Sequence, residues 1–371
     1  MEQKIYNEYV EILKEELLPA MGCTEPIAVA YAAAVAVQAL GEKPESVEVN
    51  VSANIIKNVK SVVVPCTGGL RGIGAAVCAG IVAGCPEKEL EILEEITGEQ
   101  KVEMKKMLDT MPMTIRESDK EYIFDIQIKA CAGGHSGYVE IAGFHTNVIC
   151  VKKDDEIIRE KAYEEQGSSC ATDRSLLTVE KIIEFADCVD VADVEEVLQR
   201  QIDYNWAIAE EGMTGNWGAA IGKTLMEAYG NSVHNRAKAM AAAGSDARMN
   251  GCELPVVINS GSGNQGITTS VPVIVYARDL KVSEEQMYRA LVLANLTTIH
   301  QKTPIGRLSA YCGAVSAGVG AGAGIAYLCG GGYREIIHTV VNAVAIVSGM
   351  VCDGAKASCA AKIASSVDAG I

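Results

Sequence analysis

Two long uncharged runs near the C-terminal end of the sequence most constrain what this chain can fold into. They span residues 312–332 and 336–352. The first run is mostly Gly and Ala, and the second is apolar and rich in β-branched residues. Because a Gly/Ala-rich helix has no bulky side chains, the backbone of another helix can approach it closely. The runs contain too many small and polar residues for membrane spans and have no aromatic belts, so we expect buried helices.

Three cysteines mark the ends of these runs. Cys312 begins the first run, whereas Cys352 and Cys359 follow the apolar part of the second. If the two runs form an antiparallel helix pair, Cys312 and Cys352 fall near the same end, and Cys359 lies in the next turn. Three thiolates that converge there would form a site for a soft metal or an iron–sulfur cluster. The alternative is that these cysteines are buried as small hydrophobic residues.

The balance of charge restricts the partners of this 371-residue protein. Lys and Arg together number 32, and Asp and Glu number 48, so the formal net charge is −16. A surface of this sign disfavours nucleic acids and anionic membranes, and we expect neither as a partner. We expect a small-molecule substrate instead, and the sequence leaves a homo-oligomer open.

The number of cysteines bears on the cellular compartment. The chain has 13 of them, and it begins Met-Glu-Gln-Lys without the features of a secretory signal. Many cysteines without an export signal indicate a reducing compartment, where some thiols bind metal or take part in catalysis. We therefore predict a cytoplasmic location.

The pattern along the chain predicts an α+β fold. A helix pair is expected in residues 1–42, an α/β domain in 43–165 and a helical catalytic domain in 175–371. Alternating apolar residues favour extended structure from 46 to 64. The helix pair is expected to pack with the C-terminal helical domain, because its second helix is as poor in bulky side chains as the Gly/Ala-rich run.

The sequence Met-Gly-Cys-Thr-Glu-Pro, residues 21–26, predicts a turn between two helices. Gly22 suits the end of one helix, and Thr24 and Pro26 suit the start of the next. Cys23 would then lie just before a helix N-terminus, where the helix dipole and free amide groups favour a thiolate. A catalytic thiol and a buried structural cysteine are both compatible with this position.

A loop rich in Ser, Gly and Asn follows the apolar residues 255–258. Its glycines at 261, 263 and 266 match the dinucleotide-binding pattern, but the residues after them do not resemble the opening of an amphipathic helix. We therefore expect a loop whose amide groups and side chains bind a small carboxylate. The candidate side chains are Ser260, Ser262 and Asn264.

Four separated motifs carry a resemblance that spans essentially the whole chain. They are GCTEP at 22–26, SGSGNQG at 260–266, GRLSAYCGA at 306–314 and MVCDGAKASC at 350–359. In this order they resemble the L-cysteine desulfidase and YhaM-like (UPF0597) family, which is related to the iron–sulfur L-serine dehydratase alpha chain. The resemblance implies an oxygen-sensitive [4Fe–4S] cluster and β-elimination from a small amino acid.

The resemblance also implies roles for individual residues. Cys312, Cys352 and Cys359 match the cluster-binding cysteines, and Cys23 matches a cysteine with a catalytic role. From side-chain chemistry, and not from the resemblance, we expect Arg307 in the GRLSAYCGA motif to help the Ser/Gly/Asn loop hold the substrate carboxylate. Three protein thiolates would leave one iron open to bind a leaving thiolate or hydroxide.

Two departures from the family pattern affect this expectation. The short spacing from Cys352 to Cys359 favours the desulfidase branch, whose products would be pyruvate, ammonia and sulfide. The sequence stops at Ile371, whereas relatives continue, and such a tail would either close the pocket or reach towards the cluster. L-Serine dehydratase activity and a non-enzymatic iron–sulfur sensor are the alternatives.

Overall fold

The computed structural model describes residues 1–163, 172–306 and 308–371. In chain order the helices and strands are α1 Gln3–Glu16, β1 Pro19–Met21, α2 Thr24–Leu40, β2 Ser46–Val51, α3 Ala53–Val59, α4 Gly72–Ala83, α5 Gly98–Thr110, β3 Met113–Glu117, β4 Asp125–Ala132, β5 His135–Ala142, β6 Val148–Lys153, β7 Glu156–Glu160, α6 Val179–Cys188, α7 Glu195–Thr214, α8 Ile221–Tyr229, α9 Val233–Met249, β8 Pro255–Val257, α10 Gly263–Leu280, α11 Glu284–Lys302, α12 Gly313–Leu328, α13 Tyr333–Val347 and α14 Ser358–Gly370. The fold is α+β, as the sequence predicts. No helix in these ranges has the length and apolar character needed to cross a membrane.

The chain forms two compact units that are each built from separated segments. Of the described residues, 1–20, 172–306, 308–352 and 357–371 form the helical unit, and 21–163 and 353–356 form the sheet unit. The two helices of residues 1–42 fall in different units. Helix α1 belongs to the helical unit, and α2 belongs to the sheet unit.

The sheet unit contains one six-stranded mixed sheet in the order β3-β2-β4-β5-β6-β7. Strands β2 and β3 are parallel, and the other neighbours are antiparallel. Helix α2 lies against this sheet and against α4 through backbone contacts. A Cβ added at Gly137 of β5 or at Gly80 of α4 would overlap the α2 backbone. The small residues of α2 therefore pack against glycines within the sheet unit. This close backbone contact explains why α2 belongs to that unit.

The expected extended stretch from 46 to 64 is extended only in its first part. Strand β2 ends at Val51, and helix α3 begins at Ala53. Within α3 the buried residues are Ile55, Asn58 and Val59, which have the spacing of one helical face. The apolar residues after position 52 therefore follow the period of a helix, and the prediction of a continuing strand was wrong.

The helical unit has a core of aliphatic and aromatic side chains from α1, α6, α7, α10, α11, α12 and α13. Its largest fully buried side chains include Tyr9 and Phe185, whose rings meet edge to face at 5.3 Å. The two uncharged runs form the predicted helices α12 and α13. A β-bridge between Tyr311 and Val351 joins the start of α12 to the segment after α13.

Candidate functional site

Helices α12 and α14 are in backbone contact and run parallel. A Cβ added at Gly318 would overlap the carbonyl group of Ser366, and one added at Gly322 would overlap Gly370. Because the residue numbers increase together along both helices, the two helices begin at the same end. Only glycine permits this approach at Gly318 and Gly322, so the sequence pattern of α12 determines where α14 lies.

The same end collects the termini of several other helices. Helix α10 also runs parallel to α12, since Gly313 lies against Gln265 and Gly324 lies near Val273. Helix α11 runs antiparallel, because Gly320 lies near Thr298 and Gly324 near Ala290. The N-termini of α10, α12 and α14 therefore share one end of the helical unit with the C-terminus of α11. We call this end the thiol end, because it holds Cys312, Cys352 and Cys359.

The backbone brings the three cysteines to the thiol end by three different routes. Cys312 is the N-cap residue of α12, and Cys359 lies in the first turn of α14. Cys352 follows the bridge, where its amide donates to the carbonyl of Ala310 at 2.7 Å and the amide of Cys312 donates to Met350 at 3.2 Å. In such an antiparallel pair, Cys312 and Cys352 lie diagonally opposite on the same face. All three cysteines are partly exposed.

The thiol end carries positive charge from helix N-termini and from two lysines. The N-terminus of each of the three helices carries a partial positive charge from its free amide groups. The Lys362 ammonium donates to the carbonyl of Val351 at 3.0 Å. Lys302 is only 4% exposed, and its ammonium donates to the Ser309 hydroxyl at 3.3 Å. Cationic groups and helix N-termini favour thiolates, so this environment suits ligands that must be deprotonated.

Whether the three thiols converge on one metal stays a prediction. In residues 1–163, 172–306 and 308–371, no group of three His, Cys, Asp or Glu side chains is arranged to hold a metal ion. The chemistry of the donor set nevertheless fits a [4Fe–4S] cluster, since three cysteines share one end of the unit in a positive environment. Thiolates are the protein ligands that such clusters use.

The Ser/Gly/Asn loop is a tight turn that leads directly into α10. Ser260 and Gly261 have positive φ angles, and Ser262 is the N-cap residue of the helix. The sequence analysis expected a loop here, whereas Gly263 and Gly266 already belong to α10. Pro272 lies inside α10. The buried residues of α10 do not form the narrow stripe of an amphipathic helix, so the spacing of apolar residues did not predict this helix.

The substrate residues predicted in this loop differ in their surroundings. Ser260 is buried, and its hydroxyl donates to the Asn259 side chain at 2.9 Å. The Asn264 carbonyl accepts a hydrogen bond from the Arg248 guanidinium at 3.3 Å. Ser262 is half-buried at the N-terminus of α10. Arg307, the fourth predicted substrate residue, lies outside the described residues.

Three polar residues at the thiol end were missed by sequence reasoning. Arg248 and Gln265 are each 5% exposed, and Lys302 is 4% exposed. Burial of long polar side chains at the ends of helices is the signal that identifies them, but a single sequence does not reveal it. Gln265 could have been noticed, because it lies within the SGSGNQG motif.

Cys23 lies at the predicted helix N-terminus in the sheet unit. It is the N-cap residue of α2 and is 4% exposed. Its thiol donates to one carboxylate oxygen of Glu25 at 3.0 Å, and the Asn58 side chain donates to the other at 3.0 Å. A carboxylate within hydrogen-bond distance of a thiol is a potential proton acceptor. The partner Glu25 was not anticipated from the sequence, although it belongs to the GCTEP motif.

The fold and the thiol end define an α+β protein in which three cysteines share one end of a group of closely packed helices. A sequence profile for the serine dehydratase alpha chain matches residues 87–371. Since this match covers well over half of the chain, the protein belongs to the serine dehydratase alpha chain family.

Three similar proteins refine this assignment. The chain is 58% identical to a UPF0597 protein of Desulfitobacterium hafniense over 370 residues, which cover 100% of this chain and 86% of that protein. It is 50% identical to a UPF0597 protein of Lachnoclostridium phytofermentans, with 99% and 88% covered. A UPF0597 protein of Treponema denticola is 45% identical, with 100% and 88% covered. These relatives agree with the UPF0597 resemblance noted from the motifs.

Proposed function

We propose that the protein is an iron–sulfur-dependent lyase that converts L-cysteine and water to pyruvate, ammonia and sulfide. The observation that carries this proposal is the meeting of three cysteine-bearing segments with three helix N-termini at the thiol end. Membership of the serine dehydratase alpha chain family supports a lyase-type reaction.

Cys312, Cys352 and Cys359 would hold a [4Fe–4S] cluster. When bound, the cluster would supply a Lewis acid with one iron free of protein ligands, which polarises the bond from Cβ to the leaving group. The buried ammonium of Lys302 and the three helix N-termini would offset the negative charge of the thiolates.

The chain itself would bind and orient the amino acid. The amide groups at the start of α10, with Ser262 and Asn264, would bind the substrate carboxylate, because helix N-termini bind anions. Arg248 orients the Asn264 side chain through its hydrogen bond. These contacts would fix the direction of Cα–H and of the bond to the leaving group.

Cys23 would remove the proton from Cα. Its thiol proton first passes to Glu25, which already accepts a hydrogen bond from it. The thiolate then takes the α-proton, the bond to the leaving group breaks, and aminoacrylate forms. The proton on Glu25 returns to the departing hydrosulfide, so that the thiol and the carboxylate are both restored. Aminoacrylate then hydrolyses to pyruvate and ammonia.

L-Serine is the second candidate substrate, with water in place of hydrogen sulfide as the product. The observation that favours it is the match to the serine dehydratase alpha chain profile. In the hard–soft sense hydroxide is a hard ligand and hydrosulfide is a soft one. A soft iron site therefore favours L-cysteine over L-serine. Competition between the two amino acids in one anaerobic assay distinguishes them.

The central experiment is anaerobic reconstitution of the full chain with iron and sulfide. We expect visible absorbance from the cluster and the release of pyruvate from L-cysteine. The matched control is Cys329→Ser, which changes an exposed cysteine on the C-terminal side of α12 and should leave both signals intact. A protein that binds the cluster but releases no pyruvate from either amino acid would support the sensor alternative and contradict the lyase proposal.

A further inference from the structure

The side chain of Gln265 has a buried oxygen that no donor reaches. The residue is 5% exposed, and its Oε1 atom is buried without a hydrogen-bond partner in the described part of the chain. Buried carbonyl oxygens are almost always hydrogen-bonded, because an unpaired one lowers stability. An exception of this kind calls for an explanation, and one explanation is that a ligand supplies the donor.

Gln265 lies beside a predicted cluster ligand. Its side-chain amide packs on Gly313, the residue directly after Cys312. A Cβ added at Gly313 would be 2.5 Å from Cδ and 2.9 Å from Oε1 of Gln265. Only glycine at position 313 therefore allows the amide to occupy this position. The unpaired oxygen thus lies at the start of α10 and α12, against the residue that follows Cys312.

We propose that Oε1 of Gln265 accepts a hydrogen bond from the group on Cβ of the substrate, and so sets the preference between hydroxyl and thiol. This inference rests on the proposed lyase function. The leaving group must lie near the cluster, and Gln265 adjoins the residue after Cys312. Gln265 is thus a specificity-determining residue that positions the leaving group and takes no part in proton removal.

The chemistry of the acceptor predicts the direction of the preference. A hydroxyl is a good donor to an amide oxygen, whereas a thiol is a weak one. A buried acceptor therefore binds L-serine better than it binds L-cysteine, because the thiol leaves the oxygen poorly satisfied. Gln265 would oppose the natural preference of a soft iron for sulfur and make L-serine a competent substrate.

The variant Gln265→Met tests this role in the full chain. It keeps the length of the side chain and removes the unpaired oxygen. For the reconstituted enzyme, we expect kcat/KM for L-serine to fall about tenfold, the value of one lost hydrogen bond, and kcat/KM for L-cysteine to change less than about threefold. Equal losses for both amino acids would overturn the proposal.

A second measurement uses the protein without a cluster. Gln265→Met should raise the thermal unfolding midpoint, because it removes an unsatisfied buried acceptor. The matched control is Thr297→Val, which removes another buried, unpartnered oxygen in the described part of the chain. Both variants should gain stability, but only Gln265→Met should alter the ratio of serine to cysteine activity. A ratio that changes equally in both variants would refute a specific role.

The two proposals fail in different ways. If the reconstituted wild type turns over neither amino acid, the proposed lyase function is wrong. The binding role of Gln265 is then tested by the shift that L-serine or L-alanine causes in the unfolding midpoint. L-Serine should then shift the wild type more than L-alanine does, and Gln265→Met should abolish that difference. No difference in the wild type would overturn the role of Gln265. Gly313→Ala leaves the amide of Gln265 in the chain but moves it from this position. It should therefore also abolish the difference between the L-serine and L-alanine shifts.

Discussion

The contact between α12 and α14 makes a quantitative prediction for Gly318→Ala. A Cβ at position 318 would lie 2.4 Å from the carbonyl oxygen of Ser366, whereas ordinary van der Waals contact begins at 3.4 Å. The two helices must therefore separate by about 1.0 Å, which is the difference between these distances. Overpacking of this kind costs about 1–3 kcal/mol, while replacing a helical glycine with alanine returns at most about 1 kcal/mol.

We expect a net loss of about 1–2 kcal/mol, which lowers the unfolding midpoint by about 2–8 °C in a unit of this size. The assay is thermal unfolding followed by circular dichroism, with iron content measured on the same reconstituted samples. Iron content should fall as well, because α14 carries Cys359. The control is Gly349→Ala, where an added Cβ meets no atom within 4 Å. If the two variants are equally stable and bind equal iron, the backbone contact does not set the position of α14.

Three further predictions concern the thiols and one half-buried histidine. Cys359→Ser should abolish the cluster absorbance while the fold, followed by far-ultraviolet circular dichroism, is kept; retained absorbance would remove Cys359 from the ligand set. Cys23→Ala should keep the absorbance and abolish pyruvate formation, and Glu25→Gln should lower kcat about 100-fold or more; loss of absorbance in Cys23→Ala would mean that Cys23 is a ligand instead of the base. Burial lowers the pKa of His300, so the unfolded state binds more protons below about pH 6.5 and stability falls as the pH drops through that value. His300→Gln should therefore lose less thermal stability than the wild type between about pH 7.5 and 5.5, and an unchanged pH dependence would refute this assignment.

The helices of the C-terminal half could be predicted because the composition of their sequences, uncharged and rich in small or apolar residues, indicates buried helices. The uncharged runs predict α12 and α13, and the antiparallel arrangement follows from the short connection between them. The parallel packing of α10 and α14 on α12 could not be predicted. It depends on which glycines of α12 face which backbone, and both faces of this helix carry glycine.

The small-residue helix α2 illustrates a limit of composition. A backbone without bulky side chains can pack against any similar surface, and the sheet unit offers one at Gly80 and Gly137. Composition therefore predicts the kind of neighbour for α2 but not which of two such neighbours it has. The candidate site shows the same limit. Its cysteines could be identified from the sequence, whereas the roles of Glu25 and Gln265 follow from the hydrogen bond that Glu25 accepts and from the unpartnered oxygen of Gln265.

The glycine contacts between α12 and α14 also have a consequence for how related sequences can diverge. Gly and Ala lose no side-chain rotamer freedom when they are buried, and the distance between two helix backbones in contact is set by atomic radii alone. The separation of Cys312 and Cys359 along these helices is therefore independent of the side chains that fill the rest of the core. The aliphatic core can exchange Leu, Ile and Val over generations without altering that separation. Larger side chains cannot replace the glycines at 318, 322 and 370 without moving the helices apart. The core residues can therefore change while the spacing of the cysteines stays the same.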